Sequence, residues 1–375
     1  MTKIRKKVNV LYVIFGMFIG GAELVVYNLC KYINKEKFNI YVCYIRLNGP
    51  LGEELKSIGI EIFQLVNEER ATIGKIFSFS KLSEFIRIKH INILHSHGTS
   101  ALLESSLAKL FSSIIHIHTF HFGNYPNLSP KKLFIERLFW KVPNKLVAVG
   151  DVQKEKIIQT YKIPSGRILT IRNGVEQKQA TSKNIITSFN KPDGIFIIGS
   201  ISTLTEQKGI TYLLDVAKLL KERNCSFKVI IVGDGPLRDQ LEKKRNDLEL
   251  KDFVEFLGWI EDASNIILPY FDVFIQPSLW EAMSMVILEA FAAGIPVIAT
   301  SVGENSKIIQ NGENGYLVDP GDILSMANKI EYLMHNKEVA NNIKSNARKL
   351  FEEEFKAESM AKKYEELYLS FLQSY

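Results

Sequence analysis

The sequence predicts an α/β protein made of two parallel-sheet domains, and three observations carry that prediction. Short apolar runs alternate with helical patterns along the chain, as strands do when helices connect them in parallel. The chain has 375 residues, more than one ordinary hydrophobic core organises. The alternation breaks once, where Gln177 to Asp193 is polar and without strong periodicity. This places a first domain at 1–175, a linker at 176–193 and a second domain at 194–356, with a last helix at about 357–375. Hydrophobic residues make up 46% and charged residues 23%, a soluble globular composition. The three cysteines (Cys30, Cys43, Cys225) have no CxxC or metal spacing and read as reduced thiols of a cytosolic protein. The net charge of +6 permits an anionic partner or an anionic membrane surface without demanding one.

Lys3, Arg5, Lys6 and Lys7 ahead of an apolar run imitate a signal peptide. The run is short and no small-residue cleavage site follows it cleanly, so Val8–Phe15 reads as the first strand. No apolar stretch reaches 18 residues, so no membrane-spanning helix is expected. Gly20 and Gly21 then open an amphipathic helix running to about Tyr32. A strand, a glycine turn and a helix N-terminus together offer backbone N–H groups to an anionic ligand. The spacing is not GxGxxG, and tight turns need glycine in any case. Further strands are expected at Ile40–Ile45, Ile60–Leu65, Ile91–His95, Ile114–His118, Leu146–Val149 and Ile168–Ile171. His95 and His118 read as buried strand residues. His97 and His121 fall just beyond the expected strand ends, where ligands of open α/β sheets bind. A metal site is the rival reading, and the lack of an i,i+4 pair or an acidic partner speaks against it.

The second alternation begins with a strand at Ile195–Ile201, and Thr203 to Gly209 leads to a helix at Ile210–Lys221. Lys208 stands before that helix, placed to meet a phosphate, although an exposed loop lysine is the commoner arrangement. The strand Phe227–Val232 is followed by Gly233-Asp234-Gly235-Pro236, where Asp234 could cap the next helix. Strands at Val254–Leu257 and Val273–Gln276 lead to Pro277–Thr300, the most informative stretch. Ser284 to Ala293 has helix-forming composition, Gly294 sits at the C′ position, and Pro296 stops the helix before a strand from Val297. Two carboxylates, Glu281 and Glu289, interrupt this apolar segment. If both lie on the helix, eight residues leave them about 80° apart, able to face one cleft. Alone, the pair is better explained as a helix-dipole partner (Glu281) and a solvated helix residue (Glu289). A turn over Asn311–Gly315 enters a short strand, and the chain is helical from Asp322.

Gly199 to Gly209 with Lys208, Ile231 to Pro236, and Ser278 to Pro296 with its Glu-x7-Glu pair strongly resemble the retaining glycosyltransferases of family 4. Gly312 to Val318, Gly20 to Glu23, His118 to His121 and Ile171 to Val175 agree, so the resemblance covers nearly the whole chain. It implies the GT-B fold: two Rossmann-like domains facing across a cleft, with the last helix crossing back to the first. It implies transfer of one sugar, a hexose or N-acetylhexosamine, from a UDP- or GDP-sugar co-substrate to a saccharide, with anomeric configuration retained and no metal or other cofactor. On this resemblance Glu289 would accept from ribose hydroxyls and Glu281 would contact the donor sugar. Backbone groups of Ala282, Met283, Ser284 and Met285 would meet the sugar and diphosphate, as would Gly233 and Asp234 nearby. Lys208 would neutralise the leaving diphosphate. From the first domain, His121 would contact the reacting sugar, and Gly20 and Gly21 would approach the diphosphate.

Likeness to capsule and lipopolysaccharide enzymes, around His118 to Tyr161, suggests a lipid-linked acceptor on the inner face of the cell membrane. No nucleic-acid partner is expected. Three departures stand out. Thr203 occupies the place of an arginine common in the family, Ala282-Met283-Ser284 replaces Gly-Phe-(Gly/Pro), and Glu304 and Lys307 stand where Gly and Glu are usual. A GT-B-fold UDP-sugar epimerase and a non-catalytic partner subunit are the alternatives.

Overall fold

The computed structural model describes residues 7–66, 78–177 and 194–372. The chain divides into two compact units, one from the N-terminal region to Gly174 together with the helix that starts at Ala357, the other Val175–Lys356. Most of the linker expected at 176–193, from residue 178 on, lies outside the described residues, as do Lys3, Arg5 and Lys6.

Unit 1 runs β1 (Val8–Gly16), α1 (Gly21–Tyr32), β2 (Phe38–Leu47), α2 (Pro50–Ser57), β3 (Glu61–Gln64) and α3 (Ser78–Ile88). It continues through β4 (Ile93–His97), α4 (Thr99–Leu110), β5 (Ile115–Phe120), α5 (Pro130–Phe139), β6 (Lys145–Ala148), α6 (Asp151–Tyr161) and β7 (Ile168–Thr170). Unit 2 runs β8 (Phe196–Ile201), α7 (Ile210–Glu222), β9 (Phe227–Val232), α8 (Arg238–Asp247), β10 (Val254–Gly258) and α9 (Ala263–Ile266). Then come β11 (Val273–Gln276), α10 (Met285–Ala293), β12 (Val297–Thr300), α11 (Asn305–Ile308), β13 (Tyr316–Val318), α12 (Ile323–His335) and α13 (Lys337–Glu354), before α14 (Ala357–Leu372).

Among the described residues every strand pairing is parallel. The strand orders are β3-β2-β1-β4-β5-β6-β7 and β10-β9-β8-β11-β12-β13. The six-stranded sheet and the first six strands of the seven-stranded one thus share the order 3-2-1-4-5-6, the doubly wound arrangement. Central strands are apolar without alternation because helices cover both faces: all four residues of β11 and of β12 are buried. The unit 2 core packs Leu213 and Ala217 of α7, Leu241 of α8, Ile330 of α12 and Ile343 of α13 around Ile231, Ile275 and Ile298.

Helix α14 returns to unit 1, as the resemblance implied. Tyr364 and Tyr368 are fully buried, with the Tyr364 hydroxyl 3.3 Å from Thr119 Oγ1 and the Tyr368 hydroxyl 2.7 Å from His95 Nδ1. Leu367, Phe371 and Leu372 of the same helix are half-buried. Two strand bounds differ from those expected. β4 and β5 end two residues later than the apolar pattern suggested, because backbone pairing runs on through polar residues, His97 opposite Thr119. His97 is therefore a strand residue and 2% exposed, which corrects its expected place in a loop.

Candidate active site

In each sheet the strand order reverses at the centre, between β1 and β4 in unit 1 and between β8 and β11 in unit 2. Neighbouring connections leave such a point in opposite directions and open a crevice outside the carboxyl ends of the strands. In unit 2 the segments that leave β8 and β11 there carry Lys208 and Glu281. Lys208 Nζ lies 2.6 Å from Glu281 Oε1, which also accepts from Ser278 Oγ at 2.9 Å. Gln207 Nε2 donates to Trp280 O at 3.0 Å and reaches Glu281 Oε2 at 3.4 Å. The Glu281 side chain is 7% exposed and that of Lys208 22%, so the carboxylate is buried with its donors and the ammonium reaches outward.

Backbone packs on backbone around this pair. A Cβ on Gly209, where φ is +62°, would lie 2.1 Å from Pro277 O. One on Gly303, where φ is +51°, would lie 2.2 Å from Glu281 O. Beneath the loop, Thr300 Oγ1 donates to Ser278 O at 2.5 Å, and Asn305 Nδ2 donates to Gln276 Oε1 at 3.1 Å. Gln276 Nε2 donates to Ser284 Oγ at 2.5 Å, and Ser284 caps α10 by accepting from Ile287 N.

That cap changes the expected geometry. Helix α10 starts at Met285, so Glu281 lies in the preceding loop and the 80° helical relation to Glu289 does not apply. Glu289 is half-buried on α10 and accepts from Ser264 of α9. Ala282, Met283, Ser284 and Met285 are each at most 7% exposed, so their side chains are packed inward. Thr203 and Asp234 are exposed on adjoining loops, joined where Leu204 N donates to Asp234 O at 2.9 Å. Asp234 does not cap α8, whose N-cap is Leu237. Its carboxylate accepts instead from Gly235 N at 2.7 Å, because Gly233 and Gly235 hold the turn against the β8 loop ahead of the helix.

At the corresponding point of unit 1, Gly20 is the N-cap of α1, and a Cβ there would lie 2.5 Å from Glu23 Oε2. The Glu23 carboxylate thus lies over the start of α1, and burial raises its pKa. His95 and His118 are fully buried, as read, and His95 Nε2 lies 2.8 Å from Thr119 Oγ1. His121 directly follows β5, with Nε2 3.0 Å from His97 Nδ1. Burial pushes His97 well below the usual imidazole range, with His95, His121 and His118 adding repulsion. Burial brings His121 down to about 3. The pair is a neutral imidazole couple, able to donate and accept but not to carry charge near neutrality.

Comparison with known proteins then places the chain. Residues 19–179 match the family model described as Glycosyltransferase Family 4, and residues 181–350 match the one described as Glycosyl transferases group 1. The chain belongs to the family 4 glycosyltransferases. It is 26% identical to an Escherichia coli UDP-Gal:alpha-D-GlcNAc-diphosphoundecaprenol alpha-1,3-galactosyltransferase, over 98% of either chain. It is also 26% identical to the capsular polysaccharide biosynthesis glycosyltransferase CapM of Staphylococcus aureus, over 91% of this chain and 92% of that one. Among solved structures, Anabaena Alr3699/HepE in complex with UDP superposes with a TM-score of 0.83 at 22% identity, covering 96% of this chain and all of that one. The fold is GT-B.

Among the described residues of this glycosyltransferase, no group of three or more His, Cys, Asp or Glu side chains could hold a metal ion. Nor is any helix there long and apolar enough to cross a membrane. Gln207 and Ser278, which share the Glu281 carboxylate with Lys208, were missed from sequence, as was Ser264, though the first two adjoin singled-out residues. Glu304 is fully buried, and its N–H donates to Ala282 O at 3.0 Å. Glu136 was also missed. Its fully buried carboxylate accepts from Thr99 Oγ1 at 2.5 Å, the Tyr125 hydroxyl at 2.7 Å and the Tyr161 hydroxyl at 2.8 Å. Together with Gln153, which donates to Phe120 O and Phe122 O, it holds the loop that carries His121.

Proposed function

We propose that the chain transfers one sugar from a uridine-diphosphate sugar to a lipid-linked saccharide in the synthesis of a cell-surface polysaccharide, retaining anomeric configuration and using no metal. One observation carries the reading: an ammonium and a carboxylate 2.6 Å apart at the switch point of unit 2. A diphosphate beside Lys208 competes with Glu281 for the ammonium. As Lys208 turns to the phosphate oxygens, Glu281 is released to accept from sugar hydroxyls. The acceptor oxygen bonds to the anomeric carbon, the bond from that carbon to the diphosphate oxygen breaks, and the acceptor proton passes to the departing phosphate. Glu289 serves the ribose hydroxyls. Gly20, Gly21 and His121 keep the diphosphate and sugar roles that the family implies. The Escherichia coli relative, whose name specifies UDP-galactose and a diphosphoundecaprenol-linked sugar, supports the choice of donor class and acceptor.

The test is thermal unfolding with UDP-, GDP- and ADP-sugars, followed by donor turnover with and without a diphospholipid-linked sugar. One UDP-sugar is expected to raise Tm, since ligand at a hundred times Kd stabilises the native state by about 2.7 kcal/mol. Lys208→Ala should lower turnover about a hundredfold or more, the usual effect of removing one charge-stabilising donor. Absence of a response to every donor overturns the proposal. Epimerised sugar released without acceptor moves the chain to the epimerase class.

A further inference from the structure

Side chains alternate along a strand, so residues two apart share a face of the sheet. The hydrogen bonds of β4 and β5 follow this parity. Ser96 meets His116 and His118 on one face. On the other face His95 meets Thr119, and His97 meets His121 just past the end of β5. Nearly every ring nitrogen on that second face has a partner. His95 Nδ1 lies 2.7 Å from the Tyr368 hydroxyl and its Nε2 lies 2.8 Å from Thr119 Oγ1. His97 Nδ1 lies 3.0 Å from His121 Nε2. The His97 ring is held in place by the His95 ring, with centroids 4.2 Å apart, and by the edge of Tyr12 at 5.9 Å. Two nitrogens remain. His97 Nε2 is buried and has no hydrogen-bond partner among the described residues. His121 Nδ1 belongs to a half-buried residue whose ring makes no other hydrogen bond among them.

A neutral imidazole has one N–H and one lone pair. Burial keeps both rings neutral near pH 7. A single proton therefore lies in the bond between His97 and His121, and its position fixes the two remaining nitrogens. If His97 donates, both rings carry their proton on Nδ1, and His121 presents an N–H. If His121 donates, both carry it on Nε2, and His121 presents a lone pair. Passing from one arrangement to the other moves a proton onto or off His97 Nε2. That atom is buried, and both nitrogens of the neighbouring His95 are bonded elsewhere. The exchange thus has no route through the described residues.

We infer that His97 is a positioning residue that locks His121 in one tautomer and leaves His121 Nδ1 as the atom that meets the reacting sugar. The nitrogen that a neutral imidazole protonates is set by the bond its other nitrogen makes, and here that bond is to His97. His121 then offers one fixed hydrogen bond and carries no proton away, so the acceptor proton leaves on the phosphate. Glu136 and Gln153 hold the loop, and His97 sets the ring. The contact with sugar rests on the function proposed above, whereas the tautomer lock does not.

The experiment is nitrogen NMR of the full chain with isotopically labelled histidine, which reads directly which ring nitrogen carries the proton. His97 and His121 are each expected in a single tautomer, protonated on the same-named nitrogen. Protons on differently named nitrogens, or a His121 that averages between tautomers, overturn the inference. His97→Leu should let His121 average and should lower kcat about tenfold or more, with donor KM little changed. His97→Asn places an amide at the level of Nδ1 and should recover most of that loss, whereas His97→Gln carries its amide past that level and should not. At the other ring, His121→Asn, which replaces Nδ1, should keep more turnover than His121→Gln, which replaces Nε2. Equal kcat and equal spectra for His97→Leu and His97→Asn would show that His97 only fills space, and would also overturn the inference. If the buried variants do not fold, the wild-type spectrum alone decides. A locked tautomer in a protein that turns over no nucleotide sugar supports the lock and overturns the proposed function instead.

Discussion

The two sheets share one strand order over six strands, yet the polar groups at their switch points are opposite in kind. Unit 2 presents a charged pair on loops: Lys208 partly exposed, Glu281 buried with Lys208, Ser278 and Gln207 as donors. Unit 1 presents imidazoles on and just after β4 and β5. Burial holds His95, His97, His116, His118 and His121 below their usual range, the last two at about 3. His97 Nε2, His118 Nε2 and His116 Nδ1 have no hydrogen-bond partner among the described residues. One scaffold thus supports ionic or neutral polar chemistry at the same topological place. What decides is whether a counter-charge reaches the side chain, as Lys208 reaches Glu281, or burial removes its water with no counter-charge beside it, as for the imidazoles on and just after β4 and β5.

The contrast predicts where each unit is fragile. The largest effect is expected from Gly303→Ala, which sets a methyl 2.2 Å from Glu281 O on a left-handed backbone. Strain and overpacking together should destabilise unit 2 by about 3 kcal/mol or more, read by denaturant unfolding. Gly59→Ala in unit 1 is the control, since its backbone is also left-handed (φ +83°) but nothing lies within 4 Å of the new methyl. About 1 kcal/mol is expected there. Equal losses would show that the backbone contact at Glu281 does not constrain the loop.

Acid should act on the other unit. The folded-state pKa values of the five imidazoles lie below the unfolded value, so their contribution is complete above about pH 6.5. Below that pH the unfolded chain takes up protons that the folded sheet refuses. Stability then falls by as much as about 1.4 kcal/mol per pH unit for each histidine, until His118 and His121 protonate near pH 3. Between pH 7 and 5.5 hydrogen-exchange protection, corrected for the intrinsic rate at each pH, should therefore fall in β4 and β5 and much less in β8 and β11, since unit 2 holds one histidine, the exposed His335. An equal loss of protection in both sheets would refute the buried-imidazole account. The smallest effect, about 1 kcal/mol, is expected from Ser264→Ala, which removes one hydroxyl from Glu289. If Glu289 serves a ribose, that variant should change donor KM more than kcat.

What could be seen beforehand follows the same division. The doubly wound class was visible because parallel strands covered on both faces are short unbroken apolar runs, and β9 and β11 have the bounds the pattern predicted. Glu281 stood out because a carboxylate in an apolar segment demands a reason, and Lys208 because it stands just before a helix. Their partners Ser278 and Gln207 did not, since serine and glutamine are ordinary in loops and no local period links two segments more than seventy positions apart. His97 was misplaced for a related reason. Polar residues at the end of a parallel strand resemble a loop until the pairing with β5 is known. Glu281 read as standing at a loop or helix entrance, and the side-chain cap made by Ser284 settles it in the loop by fixing the helix start at Met285.

Helix α14 has a bearing on biogenesis. Val175 N donates to Phe355 O at 2.9 Å, so the chain arrives in unit 2 and departs from it side by side. During translation every residue of unit 2 is made before the two tyrosines whose hydroxyls meet His95 and Thr119. The half begun first is therefore finished last, because its tyrosine sockets stay unfilled until α14 has been made.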